Sequence, residues 1–141
     1  MSFNAFFKEK VKRPENIKMV VSDRFVDEKG KPIQWEIRAI SAKEDDDLKA
    51  ECTKTVASPG KKDHYTMQMD GIEYVAKLTA ACVVYPDLYN AELQNSYGVK
   101  NPVDLLGEML IPAEKTALTT CAQKLCGYEP NMNTEIEKAK N

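Results

Sequence analysis

Two stretches near the start of the chain repeat with a period of two. Ile17, Met19 and Val21 alternate with Lys18, Val20 and Ser22, and Ile33, Trp35, Ile37 and Ala39 alternate with Gln34, Glu36 and Arg38. That period places each set on one face of a strand. Between them, Asp27-Glu28-Lys29-Gly30-Lys31-Pro32 supplies a glycine for a positive φ and a proline that fixes the exit. The pattern predicts a β-hairpin with one buried face. Two strands alone are marginal in water, so helices or a partner must cover that face, and Trp35 is expected in the core.

The pattern then turns helical. Ser41-Ala42-Lys43-Glu44 matches a capping box and predicts a helix from Ala42 to about Thr55. Its apolar stripe is narrow: Leu48, Cys52 and Val56. Asp45, Asp46 and Asp47 read as a solvated helix start, where carboxylates favour the positive end of the helix dipole. Residues 57–69 hold Ser58, Pro59, Gly60 and two lysines, which predicts a loop with at most a short extended end. Asp70 can cap a second helix in which Ile72, Val75, Leu78, Thr79 and Cys82 share a face, and Pro86 ends it. Asn90 caps a short helix closing at Tyr97-Gly98. Asn101-Pro102 starts another, with Val103, Leu106, Met109 and Leu110 inward. Pro112 opens the last, with Leu118, Cys121, Ala122 and Leu125 on one side and Gly127 at its end.

These elements predict an α+β fold: an N-terminal β-hairpin packed against a bundle of about four or five helices. Residues 1–128 are expected to form one domain, followed by a polar, disordered tail over 129–141. At the other end, Phe3, Phe6 and Phe7 sit at helical i, i+3, i+4 spacing beside Lys8, Lys10, Lys12 and Arg13. Core or self-packing is the ordinary use of such a stripe, and a docking element is the alternative.

Composition narrows the chemistry. The 141 residues carry 43% hydrophobic and 30% charged side chains and a formal charge of -2. That balance supports one core and gives no general attraction to nucleic acid or an anionic membrane. No apolar run approaches the roughly 20 residues of a bilayer span, and the first residues lack the pattern of a secretory signal. Cys52, Cys82, Cys121 and Cys126 match no zinc or CxxC spacing and read as reduced thiols. His64, the one histidine, falls among Lys61, Lys62 and Asp63, as a solvated loop residue would. Consecutive aspartates on a helix diverge by about 100° and do not converge on one ion. Phosphate-binding glycine motifs are absent. These features predict no enzyme and no cofactor.

Several stretches in fixed order resemble the XkdN-like family of phage tail assembly chaperones. They are Val20-Val21-Ser22-Asp23-Arg24-Phe25, Pro32-Ile33-Gln34-Trp35-Glu36-Ile37-Arg38-Ala39-Ile40 and Glu51-Cys52-Thr53-Lys54. Tyr74-Val75-Ala76-Lys77-Leu78-Thr79-Ala80-Ala81, Pro86-Asp87-Leu88, Ala91-Glu92-Leu93-Gln94-Asn95-Ser96-Tyr97-Gly98 and Met109-Leu110-Ile111-Pro112 continue the series. The resemblance implies binding to the tape-measure protein in the bacterial host cytoplasm, keeping it soluble during tail-tube assembly, and absence from the finished tail. A structural tail completion or connector protein is the alternative. Phe3, Phe6, Phe7, Met67 and Met69 are the candidate partner-binding residues, because a phenylalanine docking stripe and adaptable methionine suit a greasy client. The same surface makes a homo-oligomer an expectation too.

Overall fold

The computed structural model describes residues 2–128. The tail expected over 129–141 lies outside the described residues.

The alternating segments form the predicted hairpin, in shortened form. Strand β1 (Ile17–Met19) pairs antiparallel with β2 (Trp35–Ile37), Ile17 opposite Ile37 and Met19 opposite Trp35. Within the connection, Asp27 organises the turn. Its carboxylate accepts the N–H groups of Lys29 at 2.8 Å and Lys31 at 3.0 Å, and Gly30 takes φ +80°. Trp35 and Ile37 are buried as expected, with the Phe25 ring centroid 6.0 Å from that of Trp35. Ile17 stays exposed because β1 is the sheet edge.

Helix α1 (Ala42–Glu51) opens on the predicted capping box. Ser41 Oγ accepts the Glu44 N–H, and the Glu44 carboxylate accepts the Ser41 N–H, each at 3.1 Å. The helix ends four residues earlier than its sequence pattern suggests. Thr53–Ala57 forms strand β3, paired antiparallel along its whole length with β4 (Tyr65–Met69). The expected loop over 57–69 is thus a second hairpin. Thr53, Thr55 and Val56 are β-branched and favour an extended backbone once a partner strand is present.

Helix α2 (Gly71–Cys82) is the central helix, packed against α1, α4 (Pro102–Met109) and α5 (Pro112–Leu125). Leu78, Thr79, Ala80 and Cys82 are buried, with Leu105, Leu106, Leu118 and Ala122 facing them from α4 and α5. Thr79 donates its hydroxyl to the Val75 carbonyl at 2.8 Å and accepts from the Thr119 hydroxyl at 3.0 Å, so it is satisfied inside the bundle. The chain leaves α2 directly as β5 (Val83–Tyr85), which adds to the free side of β2 and makes an antiparallel sheet of order β1-β2-β5. Helix α3 (Ala91–Ser96) starts on Asn90, whose Oδ1 accepts the Leu93 N–H at 2.8 Å. It closes at Gly98 with φ +69°, and Asn101 caps α4 by accepting from Asp104 N–H at 2.9 Å.

Two inward assignments change. Ile72 is 87% exposed, and Tyr74 is buried in its place. The Tyr74 hydroxyl donates to the Asp45 carboxylate on α1, which also accepts Tyr128 O–H at 3.0 Å and pairs with Lys49 Nζ at 3.0 Å. Asp45 is therefore a buried tie between α1, α2 and the chain beyond α5. Asp46 and Asp47 alone fit the solvated reading.

Candidate partner-binding surfaces

The first surface is the segment before β1. A short 3-10 turn over Asn4–Phe6 gives the segment its shape. Phe3, Phe6 and Phe7 are 73%, 79% and 52% exposed, so they do not pack into the core. Burial is the ordinary fate of such a stripe, but the core is already closed by Trp35, Ile37, Leu78 and Leu118. Among the described residues, the hydrogen bonds of Ser2–Arg13 close on the segment itself, as in Phe6 N–H to the Phe3 carbonyl at 3.0 Å and Val11 N–H to the Phe7 carbonyl at 3.0 Å. The first tie to the body is Asn16 Nδ2 donating to Glu36 Oε2 at 3.1 Å. Three phenyl rings thus sit on an arm with a basic end.

The second surface is the β3–β4 hairpin. In a strand, residues two apart share a face, so Tyr65, Met67 and Met69 point the same way. They are 66%, 70% and 40% exposed. Opposite them lie Ala57, Thr55 and Thr53, and Thr55 Oγ1 reaches Met67 Sδ at 3.3 Å. One hairpin face therefore carries a row of unbranched and aromatic side chains over a threonine-lined strand. Of the five candidate residues, the fold places Met67 and Met69 on one face. No hydrogen bond among the described residues joins that face to the phenylalanine arm. Tyr65 belongs to this face and was missed. Its signal was the alternation Tyr65-Thr66-Met67-Gln68-Met69, masked by the glycine- and lysine-rich turn before it.

A cleft of about 500 Å³ separates α1, α2 and the start of α4. Its floor includes Leu48, Ala76, Ala80 and Val103, and its rim is an ion-pair relay in which Lys77 reaches Glu51 at 3.1 Å and Glu73 at 3.4 Å. The rim charges satisfy one another, and among the described residues no nucleophile–base pair lines the cleft.

The titratable groups that the fold shifts strongly act as ties in the body. The Arg38 guanidinium, 2.8 Å from Glu44, holds that carboxyl at about 2, helped by the Ser41 backbone. Arg24 does the same for Glu114 at 2.5 Å and also donates to the Met109 carbonyl at 2.8 Å, locking the loop after β1 to the α4–α5 junction. Burial raises the Asp45 carboxyl, but hydrogen bonds from Tyr74, Lys49 and Tyr128 outweigh it and hold the group below its ordinary value. Burial pushes the Cys82 thiol far up, with the Cys126 Sγ 3.8 Å away adding to the shift. An unshielded thiolate is disfavoured there. His64 is exposed on the hairpin turn, and no His, Cys, Asp or Glu cluster among the described residues is arranged to hold a metal ion.

This fold has known counterparts. The family described as phage XkdN-like tail assembly chaperone protein matches residues 3–140. The chain belongs to that family. It is 28% identical over 139 residues to the phage-like element PBSX protein XkdN of Bacillus subtilis, covering 96% of this chain and 91% of that one. It is 26% identical over 130 residues to the uncharacterized protein YqbN of the same organism, covering 90% and 85%. The crystal structure of YqbN superposes with a TM-score of 0.79 at 22% identity, over 92% of this chain and 98% of that one. The α+β architecture, with its short N-terminal antiparallel strands and helical body, is thus shared. Among the described residues, no helix is long and apolar enough to cross a membrane.

Proposed function

We propose that this tail assembly chaperone binds the tape-measure protein in the host cytoplasm, keeps it soluble while tail-tube subunits polymerise, and leaves before the tail is complete. The carrying observation is that large apolar side chains are exposed on two elements outside an already closed core: Phe3, Phe6 and Phe7 on the arm, and Tyr65, Met67 and Met69 on the second hairpin. Contiguous apolar surface of this kind marks sites for another polypeptide. A long helical client exposes the complementary surface, and unbranched methionine repacks around varied partners. In this reading the protein binds and releases without catalysis, and it uses no cofactor.

Co-expression with the tape-measure protein of the same particle tests the reading. The client should become soluble and co-purify with the chain, and serine at Phe3, Phe6 and Phe7 should reduce recovery. A client that stays equally insoluble, with nothing co-purifying, sinks the proposal. Mass spectrometry of purified particles separates it from a tail completion or connector role, because a retained component would appear in the finished tail.

A further inference from the structure

We infer that two copies of this chain associate through the outer edge of β4, forming a four-stranded sheet across a two-fold axis. Among the described residues the β3–β4 sheet has two strands, so β4 has no neighbour there on its other side. Hydrogen bonds beyond the ladder's ends set its phase. Asp70 N–H donates to the Cys52 carbonyl and Ser58 N–H to the His64 carbonyl, each at 2.8 Å. Bonded and non-bonded pairs alternate in an antiparallel ladder. Lys54 with Gln68 and Val56 with Thr66 are therefore the bonded pairs, while Thr53 with Met69, Thr55 with Met67 and Ala57 with Tyr65 are not. It follows that Tyr65, Met67 and Met69 direct their N–H and C=O groups away from β3, to the open edge.

Natural edges are commonly blunted by lysine, proline or a bulge. The β1 edge carries Lys18, β3 carries Lys54, and β5 is three residues long with Pro86 following it. Tyr65-Thr66-Met67-Gln68-Met69 carries no charge, proline or glycine and pairs with β3 without a register shift. An uncharged edge meets its own copy without repulsion, and an antiparallel edge is self-complementary about a two-fold axis, which commits the occupant to a second copy. With Met67 opposite the partner's Met67, Tyr65 falls beside the partner's Met69. The outward groups of all three residues then find partners. Residues directly opposite share a face, so the six side chains form one apolar patch, three pairs long and two strands wide, twice the area one copy offers. An edge pairing of five residues is small beside the roughly 1,200 Å² of a standard stable interface, which makes the dimer a weak, reversible one. This inference stands apart from the client reading, since it concerns the chain alone.

Sedimentation analysis of the full chain from about 1 to 200 µM tests it. The expected result is a monomer–dimer equilibrium that Met67→Lys weakens at least tenfold, because two like charges then lie directly opposite. Met67 is 70% exposed, so the substitution should leave the thermal unfolding midpoint unchanged. As a second readout, Met67→Cys should cross-link two chains on mild oxidation, since opposed bonded pairs lie about 5.5 Å apart at Cα. Thr66→Cys should not, because its two copies sit out of register. A chain that stays monomeric at 200 µM, a dimer indifferent to Met67→Lys, or equal cross-linking through both positions overturns the inference.

Discussion

Replacing Asp45 by alanine isolates one carboxylate from a run of three. Asp45 is buried and meets Tyr74, Tyr128 and Lys49, whereas Asp46 and Asp47 are exposed. The largest loss is the bond from Tyr74, whose hydroxyl would be left without its partner in the interior. A buried group stranded this way costs about 1–3 kcal/mol. The Tyr128 contact is charge-assisted and partly buried and adds roughly 1 kcal/mol. The Lys49 pair is half-exposed and contributes well under 1 kcal/mol. The expected destabilisation is about 3 kcal/mol, or roughly 10 °C in melting temperature for a folded body of this size. Urea unfolding followed by circular dichroism measures it, with Asp46→Ala and Asp47→Ala as controls expected within about 0.5 kcal/mol of the parent. A double-mutant cycle with Tyr74→Phe should show strong coupling, because both substitutions remove one shared bond. If Asp45→Ala matches its neighbours, or the cycle is additive, the buried tie is refuted.

Other consequences follow from the same geometry. Alanine at Phe3, Phe6 and Phe7 together should leave the unfolding midpoint within about 0.5 kcal/mol of the parent, since the rings lie outside the core, while client recovery in co-purification falls sharply. Trp35→Ala should cost about 3–5 kcal/mol by chemical denaturation, because the indole fills the junction between the sheet and the helices. Glu44 and Glu114 are each held at about 2 in the fold, below their ordinary carboxylate value. Their contribution is therefore complete above about pH 4.3 and is lost as the pH falls towards 2. Arg38→Gln and Arg24→Gln should each flatten the fall in urea midpoint across that window.

Local signals in the chain were legible because they involve neighbours in sequence. The Ser41–Glu44 box, the Asn90 and Asn101 caps, Pro102, Gly98 and the Asp27–Lys31 turn each satisfy backbone groups within about four residues. Trp35 and Ile37 declared their burial by period two, and Leu78, Leu106 and Leu118 by helical spacing. The candidate surface was legible in part. Met67 and Met69 stood out as methionines in a polar stretch, while Tyr65 needed the strand assignment to join them. The arm's phenylalanines had two uses that their spacing alone does not separate.

By itself, then, the sequence determined where helices α1 to α5 begin, the Asp70 cap of α2 included, that an apolar hairpin face needs cover, and that no familiar catalytic pattern is present. Tertiary structure decided the rest, because distant partners set the outcome. Thr53–Ala57 is strand rather than the last turn of α1 because Tyr65–Met69 folds back onto it. Val83–Tyr85 is strand because β2 offers an unpaired side. Tyr74 turns inward in place of Ile72 because its hydroxyl meets a carboxylate 29 positions earlier in the chain. Spacing along a chain reports which residues share a face, but only the other elements decide whether that face meets protein or water.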